Sequence, residues 1–153
     1  MRRQDRRIES EDAVMEIMHR GRVIYLAMVD GDRPYVLPLS YGCAEGAIYL
    51  HSAGEGRKLE VLREAPRVCF AISLDHELIR GERPCDWDFR YHSVIGEGAA
   101  VFVTDDAEKR RGLDAIVRQH GGEGGEYPEA SLRYTTVLRV NIDSLSGKQA
   151  GYE

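Results

Sequence analysis

The sequence has no apolar run approaching the roughly 20 residues that span a bilayer, and no signal peptide is visible. A soluble protein is therefore expected, with the cytoplasm as its location. Cys43, Cys69 and Cys85 stand far apart, and no C-x-x-C occurs. An odd number of scattered thiols fits a reducing compartment better than a disulfide framework. His76, Cys85 and His92 lack zinc spacing, so no metal is expected. A basic excess is also missing. The 21 Lys and Arg residues against 26 Asp and Glu leave a net charge of −5, which argues against nucleic acid as a partner. Neither G-x-x-x-x-G-K-[ST] nor a strand-linked G-x-G-x-x-G is present, so ATP-type and Rossmann-type sites lack their signature.

What is there fits a single domain of 153 residues, with no internal repeat and no linker. Ser10 is placed to cap a helix ending near Arg20, with Gly21 as its stop. Residues 23–29 alternate as a strand, and Asp30-Gly31 supplies the positive-φ positions of a hairpin turn. The next strand, "YVLPLSYG", contains Pro38, which removes a backbone donor and so belongs on an edge or at an opening in the ladder. "CAEG" turns the chain into residues 47–51. A helix from Arg57 must stop before Pro66, because the residue preceding a proline disfavours the helical region.

Residues 67–74 form a fourth strand, residues 75–89 an irregular stretch, and residues 90–103 a long fifth strand. Gly96 and Gly98 mark a bulge or a close approach within it. An acid-first, base-last helix follows, then a glycine-rich loop and a sixth strand at 134–143. Six strands joined mostly by hairpins, with few helices, give a mainly β fold, an antiparallel barrel rather than a parallel sheet.

The stretch "IYLHSAGEGRKLE" brings a glycine turn, Arg57, Lys58 and a helix N-terminus together. Unpaired N–H groups and the positive end of the helix dipole bind anions there, phosphate above all. Gly54 and Gly56 allow close backbone approach, Arg57 offers a planar fork and Lys58 a point charge. The alternative is a solvated basic turn that only starts a helix. His51 at the strand end can exchange a proton near neutral pH or can simply hydrogen-bond to backbone. His19 and His120 fall at helix C-termini, where a cation suits the dipole. Trp87 suits a packing anchor in a loop, and Cys69 an inert core position. The N-terminal "MRRQDRR" is either a solvated end or an arm toward an anion or a second subunit.

The order "RPYVLPLSY … IYLHSAGEGRK … PRVCF … RYHSVIGEG … VNIDSLSGKQA" resembles the pyridoxamine 5′-phosphate oxidase-like, FMN-binding split-barrel proteins, and within them the 5-nitroimidazole reductase branch. The resemblance implies a six-stranded antiparallel split barrel that dimerises with two flavin sites at the subunit interface. It implies that Pro38, Leu39, Ser40 and Tyr41 line the isoalloxazine ring largely through backbone, with Tyr49, Leu50, His51 and Ser52 beside it. Arg57 and Lys58 match the family's phosphate-binding pair, and Ser93, Val94 and Ile95 complete the site. His51 matches the active-site histidine of the reductases.

The cofactor so implied is FMN, with FAD as an alternative and haem as a less favoured one. The implied activity is a flavin-dependent oxidoreductase, of nitro-reductase type. The alternatives are a flavin-sequestering protein without turnover and a haem-binding split barrel. Two departures are visible. The C-terminal Arg- and His-containing segment of the true oxidases has no match, which argues against that activity, and position 92 is His where the branch more usually has Arg. Ser146, Gly147 and Lys148 fit the branch without an assigned role.

Overall fold

A computed structural model describes residues 3–152; Arg2 of the N-terminal arginine cluster lies outside the described residues. The chain runs β1 (Arg7–Ile8), α1 (Glu11–Arg20), β2 (Val23–Asp30), β3 (Arg33–Ser40), β4 (Gly42–Ala44), β5 (Ala47–Ala53), α2 (Arg57–Glu64), β6 (Arg67–Ile79), β7 (Asp88–Phe102), α3 (Asp106–Gln119), α4 (Glu129–Tyr134) and β8 (Thr135–Ala150). The strands form one sheet in the order β3-β2-β6-β7-β8-β5-β4, with β1 added on β8, and every pairing is antiparallel. The sheet curls until β3 approaches β5, but those two strands share no ladder. The result is a barrel left open along one seam: a split barrel. Pro34 and Pro38 both lie on β3, the edge strand at that seam, where a missing donor costs least.

Alternation along the strands sends one set of side chains inward. Ile24, Leu26, Met28, Ile48, Leu50, Phe70, Ile72, Val94, Leu138 and Val140 form the barrel interior, joined by Val14, Ile17 and Met18 of α1 and by Leu59, Val61 and Leu62 of α2. Burying side chains of this size contributes about 1.5–3 kcal/mol each. Packing of α2 into this cluster fixes where its N-terminus sits. A second cluster outside the barrel covers Ala47, Tyr49 and Val137 with Ala115 and Ile116 of α3.

Several expectations are met: the Ser10 cap, a hairpin at residues 30–33 and the end of α2 before Pro66, although only Gly31 of the Asp30-Gly31 pair has a positive φ and Asp30 is still in strand opposite Arg33. Gly96 and Gly98 play the two roles foreseen for them, since a Cβ on Gly96 would sit 2.3 Å from the Phe70 ring and the β7–β8 register shifts between Glu97 and Gly98.

Other elements differ. The short strands β1 and β4 were expected as a frayed end and a turn, because two or three residues carry too little periodicity to read. Residues 75–89 are not irregular throughout: β6 and β7 run on as a hairpin arm beyond a bulge at Asp75, whose φ is +57°. Strand β8 continues seven residues past the expected Asp143, to Ala150. Cys69 is not in the core but exposed on the outer face, between Ala27 and Glu97.

Candidate functional site

Strand β5 ends at Ala53, and the turn that follows delivers the chain to α2 at the open seam. Gly56 occupies the N-cap with φ +128°, a conformation that L side chains rarely adopt, and no other atom lies within 4 Å of where its Cβ would stand. No side chain caps this helix. Leu59 and Glu60 donate to the Gly56 carbonyl, so the Arg57 and Lys58 N–H groups lead the helix, without an acceptor among the described residues. The helix therefore begins with exposed donors, an open approach and two cations.

The two cations are held differently. Arg57 is anchored: its Nη2 lies 2.6 Å from Asp30 Oδ2, its Nε donates to the same oxygen at 2.8 Å, and its guanidinium stacks over the Tyr35 ring at 4.4 Å. It thereby ties the start of α2 to the β2–β3 hairpin. Lys58 is half-buried and has no hydrogen-bond or ion-pair partner among the described residues. Burial holds its ammonium below the ordinary lysine range.

His51 projects from the outer side of β5 opposite Val137. Burial first, and then the Lys58 charge, lower its pKa from the usual histidine value. Both causes favour the neutral imidazole, which can hydrogen-bond or accept a proton.

The remaining residues of the expected site divide sharply. Pro38 and Ser40 share the outward face of β3, opposite Tyr25 and Val23. Tyr41, Leu50 and Val94 are fully buried and Tyr49 is 3% exposed, so these four can offer a ligand only their backbone, while Leu39 is half-buried against the core. The Tyr41 hydroxyl is committed to the Met18 carbonyl at 2.5 Å. Ser52 is half-buried beside His51. Ser93 and Ile95 face outward on β7, which β6 and β2 separate from β3, and β8 from β5. One chain thus gathers His51, Ser52, Arg57 and Lys58 at the seam and leaves Ser93 and Ile95 on a different part of the surface.

Two clefts, of about 480 and 440 Å³, open elsewhere: one between β1, α1 and β8, the other beside Cys43 and the C-terminal half of α3. Neither is lined by the seam residues.

A polar clamp at the other end of the barrel escaped the sequence reading. Asp75 accepts from Arg20 Nη2 at 2.6 Å, its carboxylate meets His92 Nδ1 at 2.7 Å, and the Tyr152 ring stacks on the His92 ring with centroids 4.5 Å apart. His92, in place of the expected Arg, is therefore held as a structural partner. Its partners lie 17 and 60 residues away, and no local motif announces them. Trp87 is not the packing anchor expected: its ring is half exposed, and it ties the loop by donating to the Gly81 carbonyl at 3.0 Å. Among the described residues no group of three His, Cys, Asp or Glu side chains could hold a metal ion, and no helix is long and apolar enough to cross a membrane.

Residues 10–149 match the sequence profile of the pyridoxamine 5′-phosphate oxidase family. The chain belongs to that family. Among solved structures, a candidate 5-nitroimidazole antibiotic resistance protein from Bacteroides thetaiotaomicron is similar at 30% identity and a TM-score of 0.84, covering 94% of this chain and 86% of its own. An FAD- and haem-binding protein from Mycobacterium smegmatis aligns at 18% identity and a TM-score of 0.82, over 96% of this chain and 74% of its own. The flavocytochrome Anf3 from Azotobacter vinelandii gives 18% and 0.82, over 99% and 72%. These last two show the shared fold. No curated protein matches the sequence.

Proposed function

We propose that this protein binds FMN, with its phosphate at the N-terminus of α2, and acts in the cytoplasm as a flavin-dependent oxidoreductase. The observation that carries this reading is the start of α2: an uncapped helix end, a glycine that leaves the approach open, and Lys58 half-buried with no partner among the described residues. A phosphate fits that set chemically, because it would accept from the Arg57 and Lys58 N–H groups, neutralise the Lys58 ammonium and complement the dipole. Bound flavin would supply reversible electron transfer. The chain's own groups orient it: Lys58 and the helix donors at the phosphate, and the backbone of residues 38–41 and 49–52 along the seam. His51 holds or receives a proton at its imidazole beside the cofactor. An anion on Lys58 also removes one of the two causes that depress His51, which raises its basicity when the site is filled.

The active form in this reading is a homodimer. The outer face of β3-β2-β6-β7 carries Val36, Tyr25 and Ile95, each at least half exposed, in two cross-strand rows: Pro38–Tyr25–Ala71–Ile95 and Val36–Ala27–Cys69–Glu97. A contiguous apolar face of this kind is characteristic of an interface. A second copy on it would bring its own Ser93–Ile95 segment to a seam that one chain leaves uncovered. The similarity to the Bacteroides protein supports a nitro compound as the electron acceptor.

Purified protein incubated with FMN, then freed of unbound ligand, is expected to retain flavin absorbance at close to one FMN per chain. It should elute at twice the monomer mass. No retained flavin from either FMN or FAD would end this reading.

A further inference from the structure

Asp30 ends β2 two residues after the buried Met28, so the strand's period of two places both on the face turned toward the barrel interior. Across the hairpin Tyr35 stands opposite Met28 on that same face and packs against the core. Asp30 is thereby directed at α2 rather than at the outer face, with Tyr35 beside it as a ring that the core holds in place.

A guanidinium presents its donors along two edges of one plane. In Arg57 the edge made by Nε and Nη2 is taken by a single oxygen, Asp30 Oδ2, at 2.8 and 2.6 Å, and one face of the plane is covered by the Tyr35 ring. The other edge, made by Nη1 and Nη2, has no acceptor among the described residues. Glu55 and Glu60 flank the helix start, both exposed, and neither is within ion-pair distance of Arg57 or Lys58. The Arg57 and Asp30 side chains are 54% and 37% exposed, and an ion pair so open to solvent contributes little to stability. What the contact achieves is orientation. With one edge and one face fixed, a long flexible side chain is held in a set plane at the first residue of α2.

We propose that Asp30 is a positioning residue of the anion site: it holds Arg57 so that the free Nη1–Nη2 edge takes two oxygens of a phosphate lying at the start of α2. That this phosphate belongs to the flavin rests on the reading above. Two parallel N–H···O bonds from a fork already set in place add direction as well as attraction. Asp30 also cancels the Arg57 charge, so the net positive charge comes from Lys58 while Arg57 contributes through geometry. The β2–β3 hairpin thus selects for a phosphorylated flavin over riboflavin without touching the ligand.

The test compares the affinities of the full chain for FMN and for riboflavin, which lacks the phosphate, by flavin fluorescence. In Asp30→Ala the FMN affinity is expected to fall about tenfold while that for riboflavin holds. Charge alone predicts the opposite sign, since the substitution removes a negative group beside an anion site. Asp30→Asn, which keeps an acceptor oxygen, should lose much less. In an Arg57→Met background Asp30→Ala should cost nothing further, because Asp30 acts through Arg57. Four results would overturn the assignment: FMN affinity unchanged in Asp30→Ala, FMN affinity raised there, equal losses for both flavins, or full additivity with Arg57→Met. Wild-type protein that binds neither flavin ends the flavin reading, and the variants are then read with inorganic phosphate through the ¹H–¹⁵N shifts of Gly56, Arg57 and Lys58. A saturable response weakened about tenfold in Asp30→Ala upholds the positioning role. No response, or an equal one in both proteins, overturns it.

Discussion

Helices α2 and α3 both start from a turn after a strand, and their first turns are built in opposite senses. At α3, Asp105 caps the helix, its Oδ2 accepting from the Glu108 N–H at 2.8 Å, and Asp106 and Glu108 place negative charge at the positive end of the dipole. The Asp105 side chain satisfies one exposed donor and the acidic residues complement the dipole, so this helix start contributes stability. At α2, Gly56 offers no cap, and Arg57 and Lys58 oppose the dipole, with Glu60 the one acid of the first turn. Such a start costs stability in the free protein, and an anion would offset that cost. The same structural element is a fold device in one place and a binding device in the other.

The largest expected effect comes from reversing charge at the α2 end. Lys58→Glu should weaken FMN binding about 100-fold or more by placing a carboxylate against the phosphate, at about 1.4 kcal/mol per tenfold. It should leave folding intact, because a glutamate in a first helical turn suits the dipole. Unchanged affinity in a flavin titration would remove the phosphate assignment.

Giving α2 the cap that α3 has is the next test. Gly56→Asp forces a side chain into φ +128°, at a cost of about 1–3 kcal/mol, and sets a carboxylate where the phosphate is placed. Melting temperature and FMN affinity should both fall. A variant that gains stability and keeps FMN would show the two helix starts to be equivalent.

Asp105→Ala is the converse change. It should cost about 1 kcal/mol, a fall of about 2–4 °C in the midpoint of thermal unfolding, with FMN affinity untouched. A loss of flavin in a still-folded Asp105→Ala protein would mean that α3 also serves the site.

The smallest effect is a titration. Lys58→Met should raise the His51 pKa toward the ordinary histidine value, though not fully, since burial remains the larger cause. ¹H–¹³C spectra of the imidazole across pH 4–9 would read it. The sign for stability follows from linkage. His51 has a lower pKa folded than unfolded, so the unfolded chain binds more protons as pH falls through the usual histidine value. Stability attributable to His51 is therefore full at alkaline pH, declines as pH drops below about 6.5 and levels off below the folded pKa. Lys58→Met should shrink that decline, and an unchanged acid limb would mean that Lys58 does not act on His51.

The sequence by itself determined the parts whose signals are local. Periodicity in residues 23–29 and 67–74, the hairpin at Gly31, the Ser10 cap and the stop before Pro66 each act within a few residues, and all appear in the structure. The glycine turn and two cations before α2 were legible for the same reason. Tertiary structure decided what depends on distant partners. It separated Arg57, spent on Asp30 and Tyr35, from Lys58, which has no partner among the described residues. It turned Tyr41, Leu50 and Val94 into the core while leaving Pro38, Ser40 and Ile95 outside, since a strand's period of two says which residues share a face but not which face is buried. It also brought Arg7 opposite Lys148 across 141 positions of sequence, through a two-residue strand too short to announce itself.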